Sequence, residues 1–259
     1  MNAPSEQSKP GPAIELIDAV ILPPLENVQW RVNAGDFWVV IGTPGAGKTD
    51  LLSIAAGLQK PTRGTHRLFG HEITQLTEDE QLKLRLQVGM VFENGGRLFA
   101  HSTVAENVAL PLCYHRDCEY SETLGEVEAV LELTGLASMA QDRVTRIGRN
   151  WRQRVALARA LVLRPHVLLL DNPLAGLDPR HSRWWLEFLT TLAGGHTYLE
   201  GRKLTLAITA EDLRPWAEVG RHFAVLDRNT WRVVGDRTDL ANCHEPLLRE
   251  IMAGEFADD

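Results

Sequence analysis

The sequence predicts an α/β fold with parallel central strands, an antiparallel edge and an inserted helical subdomain. Three observations predict it. Residues 37–41 (FWVVI) are apolar on both faces, as a central strand covered on both sides must be, and they run straight into a glycine-rich loop and an apolar helix pattern. Residues 167–170 (VLLL) repeat the doubly buried pattern far downstream. Strands alternate with helices at both ends of the chain, and a mainly helical stretch lies between them.

In chain order, residues 14–19 and 28–32 alternate apolar and polar side chains, the period of half-exposed strands. Asn33-Ala34-Gly35-Asp36 makes a turn into the central strand. Beyond the glycine-rich loop, Leu51, Leu52, Ile54, Ala55 and Leu58 mark a helix. Thr77 and Glu80 stand at capping-box spacing and open the mainly helical stretch. It includes residues 121–134, with Gly135 placed as a C-cap, and residues 151–163, which stop before Pro165. After the strand 167–170 come a helix carrying Trp184 and Trp185, which read as core packing, the strand 204–208, and short strands at 223–226 and 231–234.

The chain has 259 residues, 44% hydrophobic and 24% charged, a globular composition that excludes a disordered or fibrous protein. No apolar run approaches the ~18 residues that a membrane-crossing helix needs. Residues 1–12 show neither the apolar core of a secretory signal nor an Arg-rich transit pattern, so a cytosolic location is the default expectation. Cys113, Cys118 and Cys243 are too few, and odd in number, for a disulfide framework. Cys113, His115 and Cys118 lack a second ligand pair, so no zinc site is read from them. His66, His71 and His181 belong to no visible constellation. A net charge of −7 argues against nucleic acid as a partner. Within this acidic chain, Arg143, Arg146, Arg149, Arg152, Arg154, Arg159 and Arg164 form a basic run, open to reading as a solvated helix face or as a site for phosphates or an acidic partner.

Gly42-Thr43-Pro44-Gly45-Ala46-Gly47-Lys48-Thr49 matches G-x-x-x-x-G-K-[ST] in full, after a buried strand and before a helix. Gly45 and Gly47 let successive backbone N–H groups converge on phosphate oxygens, and the helix points its positive end at the same anion. Lys48 supplies charge for the β- and γ-phosphates, and the Thr49 hydroxyl is placed to ligate Mg²⁺. Asp171, directly after the strand 167–170, fits the second Mg²⁺ position. The fold is thus expected to be that of a P-loop NTPase with a RecA-like core, binding ATP and Mg²⁺ at Gly42 through Asp50.

With both motifs placed, residues 14–236 resemble the nucleotide-binding domain of ABC transporters. Residues 172–179 (NPLAGLDP) are similar to the family's D-loop, and residues 153–161 to the helix after its signature motif. Residues 91–112 are similar to the segment that meets the membrane subunit, worded most like the ATPases of Mla/Mce-type lipid transporters. The resemblance implies a membrane permease subunit as partner and a head-to-tail dimer with a copy or a homologue. It also implies a division of the chain into a disordered leader (1–13), the nucleotide-binding domain (14–240, with a helical subdomain at about 77–160) and a tail (241–259).

Where the family carries its hydrolytic residues, this sequence departs. Asn172 stands at the position of the glutamate base, and an amide cannot accept a proton from water at neutral pH. Glu93 occupies the Q-loop glutamine position, and Ala210 the histidine position. Residues 147–151 read IGRNW, so the two signature glycines are Arg149 and Asn150. Asp50 puts a carboxylate near the α-phosphate, and Pro23 replaces the aromatic expected to stack on adenine. The resemblance therefore implies a cassette that binds Mg-ATP but is impaired in hydrolysis. Two alternatives stay open at this point: an active ATPase with Glu93 orienting the water, and an ABC-type protein outside transport.

Overall fold

The structure is a computed structural model that describes residues 11–21, 25–227, 229–243 and Leu248. Pro23 and most of the tail fall outside these residues. Strands β1 (Ile14–Ile21) and β2 (Leu25–Val32) pair antiparallel, and β3 (Phe37–Gly42) follows, buried at every position. Helix α1 (Lys48–Ala55) leads to β4 (Arg63–Leu68) and the short β5 (His71–Glu72). Next come α2 (Glu78–Arg85), β6 (Val88–Val91), α3 (Val104–Arg116), α4 (Leu124–Leu133) and α5 (Arg149–Leu161). The chain returns through β7 (Val167–Asp171), α6 (Pro179–Gly194), β8 (Thr205–Ala210), β9 (His222–Asp227), β10 (Thr230–Gly235) and α7 (Arg237–Ala241).

Among the described residues the strands form one sheet in the order β5-β4-β1-β2-β10-β9-β3-β8-β7-β6. The run β9-β3-β8-β7-β6 is parallel throughout; in the other half neighbours pair antiparallel except β2 and β10, which meet in parallel at Thr230↔Glu26. Because side chains alternate along a strand, β3 feeds two cores. Phe37, Val39 and Ile41 pack on one face with α3, α5 and α6; Trp38 and Val40 pack on the other with α1 and the β1–β2 hairpin. Leu168/Leu170 and Val167/Leu169 of β7 divide the same way.

The capping box at Thr77 and Glu80 is formed, and a second one, Thr103 with Glu106, starts α3. Buried Asn107 on α3 donates to the carbonyls of Phe99 and Thr103 and accepts from the Phe99 N–H, which ties the loop before α3 to the helix. Three boundaries differ from the sequence reading. The stretch 77–160 is not wholly helical: β6 lies in it, paired with β7 from Val88↔Val167 to Val91↔Leu170. Ala13 is buried, its N–H and carbonyl bonded to Val32 and Phe69, so the packed domain takes in the last residue of the expected leader. Leu248 of the expected tail is buried in the core. No helix among the described residues is long and apolar enough to cross a membrane.

Candidate functional site

β3 delivers the glycine-rich loop between two neighbours, with Ile41 paired to Ala210 on β8 and Gly42 to Leu226 on β9. A Cβ on Gly42 would fall 2.6 Å from the Leu226 carbonyl oxygen, so this position admits glycine alone. Gly45 (φ 75°) and Gly47 (φ 91°) adopt the left-handed conformation that glycine permits, and a Cβ at either would meet nothing within 4 Å. The space over the loop is open. The first intrahelical bond of α1 runs from Leu51 N–H to the Gly47 carbonyl, which leaves the N–H groups of Lys48, Thr49 and Asp50 as the unpaired donors of a helix start.

Lys48 is buried, and its ammonium donates to the carbonyls of Gly42 and Thr43 at 2.8 Å and to Glu211 Oε1 at 3.2 Å. Thr49 Oγ1 donates to Asp171 Oδ2 at 2.6 Å. The other carboxylate oxygen, Oδ1, accepts from Thr209 Oγ1 at 2.7 Å, and that hydroxyl in turn accepts from the Asn172 N–H at 3.1 Å. Register explains this cluster: Asp171 at the end of β7 lies opposite Thr209 on β8. An open cradle of backbone donors, a buried ammonium and a hydroxyl–carboxylate oxygen pair fit a polyphosphate carrying a hard divalent cation. Asp50 lies in the first turn of α1, where its carboxylate suits the helix dipole.

Asn172, Ala210, Glu93, Arg149 and Asn150 stand where the resemblance implies hydrolytic residues. Asn172 is buried with φ 44°, a left-handed conformation that asparagine tolerates better than most side chains. Ala210 ends β8, buried. Glu93 is exposed in the turn after β6. Gly148 is the N-cap of α5, so Arg149 and Asn150 form that helix's first turn.

Both of those side chains bond within their own chain. Arg149 Nη2 donates to Asn94 Oδ1 and, at 3.4 Å, to the Ala175 carbonyl. Asn150 Nδ2 donates to Asp178 Oδ2 at 2.7 Å. Asp178 caps α6 through the N–H groups of Arg180 and His181 and pairs with His181 Nδ1 at 2.7 Å. Accepting from the His181 backbone and ring holds the Asp178 carboxyl below the usual carboxylate range. His181 thus belongs to a constellation after all, with Trp151 edge-on at 5.4 Å. The Asp-x-x-His spacing across a helix start was the available signal.

The arginine run divides by burial. Arg154 lies 3.6 Å over the Trp184 ring and 4.7 Å from that of Trp151, and burial pushes its guanidinium down to about 10. Arg159 donates to the Arg97 carbonyl at 2.9 Å. Arg143, Arg146 and Arg152 are exposed. Trp185 is fully buried and Trp184 stacks on Phe188, so this pair is core packing. Among the described residues no three His, Cys, Asp or Glu side chains group as metal ligands, and the cysteines are free.

Comparison with known proteins places this architecture. The ABC transporter family profile matches residues 25–175, which takes in the glycine-rich loop, α5 and Asp171. The chain belongs to the ABC transporter family. The cassette is 32% identical to the methionine import ATP-binding protein MetN of Carboxydothermus hydrogenoformans, over 88% of this chain and 66% of that one. MetN of Rhizobium etli is 32% identical over 97% and 69%, and MetN 1 of Salmonella typhimurium 39% over 64% and 48%. The chain thus spans about half to two-thirds of the length of these relatives. In fold, the cassette is similar to the dimeric post-hydrolysis state of the ATP-binding cassette MJ0796 bound to ADP and Pi, with a TM-score of 0.75 and 25% identity over 86% of this chain and 98% of that one. A TM-score of 0.74 at 20% identity to cbiO1 of Clostridium perfringens, over 95% and 100%, agrees on the fold alone. Cassettes of this family bind ATP, generally with Mg²⁺, pair with membrane permease subunits and dimerise. These relatives are named for methionine import, not for the lipid transport that residues 91–112 bring to mind.

Proposed function

We propose that the chain is the ATP-binding subunit of an ABC import complex, one that binds Mg-ATP and hydrolyses it weakly or not at all. In this reading it pairs with a second cassette, a copy or a homologue, and docks as scaffold or regulator on a permease subunit at the cytoplasmic face of the inner membrane. The observation that carries it is a division within one site. Lys48, Thr49 and Asp171 keep the arrangement suited to a Mg-nucleotide, whereas the next residue, Asn172, holds an amide where a base is needed.

Each residue's part follows from its chemistry. The loop N–H groups hold the α- and β-phosphates, Lys48 reaches the β- and γ-phosphates, and Thr49 with Asp171 holds the cation. The phosphoanhydride is the reactive group that bound nucleotide supplies. Asn172 has no lone pair basic enough to take a proton from water, a deficit typically worth ~10² to 10⁴ in rate. Ala210 offers no donor, and Arg149 and Asn150 are engaged with their own chain's Asn94 and Asp178. The methionine-import relatives, aligned over as much as 97% of the chain, are a broader guide to cargo than the lipid-transporter wording of one segment.

Calorimetry with Mg-ATP on the purified chain and on Lys48→Ala tests this reading. Saturable binding that is lost in Lys48→Ala supports it; no binding in the unmodified chain contradicts it and leaves a purely structural role. Turnover that disappears in Glu93→Ala would instead favour an active, rewired ATPase.

A further inference from the structure

Lys48 has three N–H donors and three acceptors. Two acceptors, the carbonyls of Gly42 and Thr43, belong to the loop itself. The third, Glu211 Oε1 at 3.2 Å, arrives from 163 residues away. Its carrier is the first residue beyond β8, the strand lying between the one that ends in the loop and the one that ends in Asp171. The pair is asymmetric in burial, with the Lys48 side chain 8% exposed and that of Glu211 39% exposed. The two carbonyls are fixed by the backbone of a tight loop. A newly arriving oxygen can therefore claim a Lys48 N–H only by displacing Glu211, the one acceptor free to rotate away.

We propose that Glu211 is a specificity-determining residue that occupies the place of a terminal phosphate on Lys48 and biases the site toward diphosphate over triphosphate nucleotides. The inference rests on the nucleotide-binding reading above. In a loop of this kind the backbone N–H groups cradle the α- and β-phosphates, and the lysine serves the β- and γ-phosphates. A diphosphate is held mainly by the cradle and brings only its β-phosphate to the lysine, so it competes with Glu211 less than a β,γ pair does. A triphosphate adds its most charged group at the lysine, where it meets a carboxylate of like sign and must break the ion pair. Ala210 adds no side chain that could donate to that extra phosphate in compensation.

The test is calorimetric titration of the full chain with Mg-ATP and, separately, with Mg-ADP, in unmodified protein, Glu211→Gln and Glu211→Ala. The Gln variant keeps the shape and removes the charge; the Ala variant removes the acceptor, and at a partly exposed position both keep the fold. ADP is expected to bind the unmodified chain at least as tightly as ATP. Both variants are expected to tighten ATP about tenfold and to change ADP by less than about twofold. Equal changes for the two nucleotides, or no change, overturn the inference while leaving nucleotide binding in place. If neither nucleotide binds any of the three proteins, both the inference and the reading it rests on fall.

Discussion

The guanidinium of Arg149 fills the space that a side chain on Gly176 would need. A Cβ built on Gly176 falls 2.8 Å from Arg149 Nη1, and the glycine itself holds φ +65°. Arg149 also reaches Asn94 and the Ala175 carbonyl, so one side chain connects the turn after β6, the start of α5 and the turn after β7. A residue that the family resemblance would aim at a partner's nucleotide is folded back on its own chain.

This contact separates two effects. Gly176→Ala is expected to cost about 1 to 2 kcal/mol, because a left-handed conformation is strained for an L side chain. The Arg149 end is flexible and exposed and can move aside. Arg149→Ala should therefore not relieve that cost, and the double variant should be additive within about 0.5 kcal/mol in urea denaturation. Strong coupling between the two would show that steric crowding, not backbone strain, dominates.

Thr209 holds the candidate metal site from behind. Its hydroxyl donates to Asp171 and accepts from the Asn172 N–H, and the residue is fully buried. Thr209→Val keeps the shape and takes the hydroxyl from Asp171, while the Asn172 N–H keeps its bond to the Thr209 carbonyl, so it should cost roughly 1 to 3 kcal/mol, mostly at Asp171. It should also weaken the Mg²⁺ dependence of nucleotide binding, because Asp171 loses the bond that orients it. Unchanged stability together with unchanged Mg²⁺ dependence would remove Thr209 from the site.

His66 on β4 predicts an acid-sensitive fold. It is buried, neither ring nitrogen has a hydrogen-bond partner among the described residues, and burial pushes its imidazole down to about 4, against a weaker opposing interaction with the Ala55 backbone. Because the folded value lies below the ordinary 6.5, the unfolded chain binds the proton first. Stability is therefore full above about pH 6.5 and falls as pH drops toward 4, by about 3 kcal/mol in all. Read as the difference between the unmodified chain and His66→Leu, the stability profile should slope across that window. A flat difference would contradict the assignment.

Arg154 is held by ring faces more than by hydrogen bonds. Its guanidinium stacks over Trp184, and its Nε has no hydrogen-bond partner among the described residues. Arg154→Lys keeps charge and loses the planar stack, for an expected cost of about 1 kcal/mol measured by the urea midpoint. A Lys variant as stable as the parent would assign the site to charge alone.

The glycine-rich loop, Asp171 and most elements were legible because local patterns carry them. The doubly apolar strands at β3 and β7, the Thr77 capping box and Gly135, which takes φ 70°, each declare themselves within a few residues. β6 escaped because four residues between helical segments are too short to show their own period. Long-range pairings were hidden for a different reason: Lys48–Glu211 and Arg149–Asn94 join residues 163 and 55 positions apart, and no local spacing encodes them. At His181 the local Asp178 spacing was legible, and only the Asn150 contact from another helix was hidden.

Steady-state turnover of Mg-ATP by the purified chain, at a concentration where calorimetry shows the site filled, tests the central claim most directly. With Asn172 beside Asp171 and Ala210 at the end of β8, the rate should lie well below the ~1 to 10³ s⁻¹ common among enzymes. A filled site turning over within that range would contradict the account.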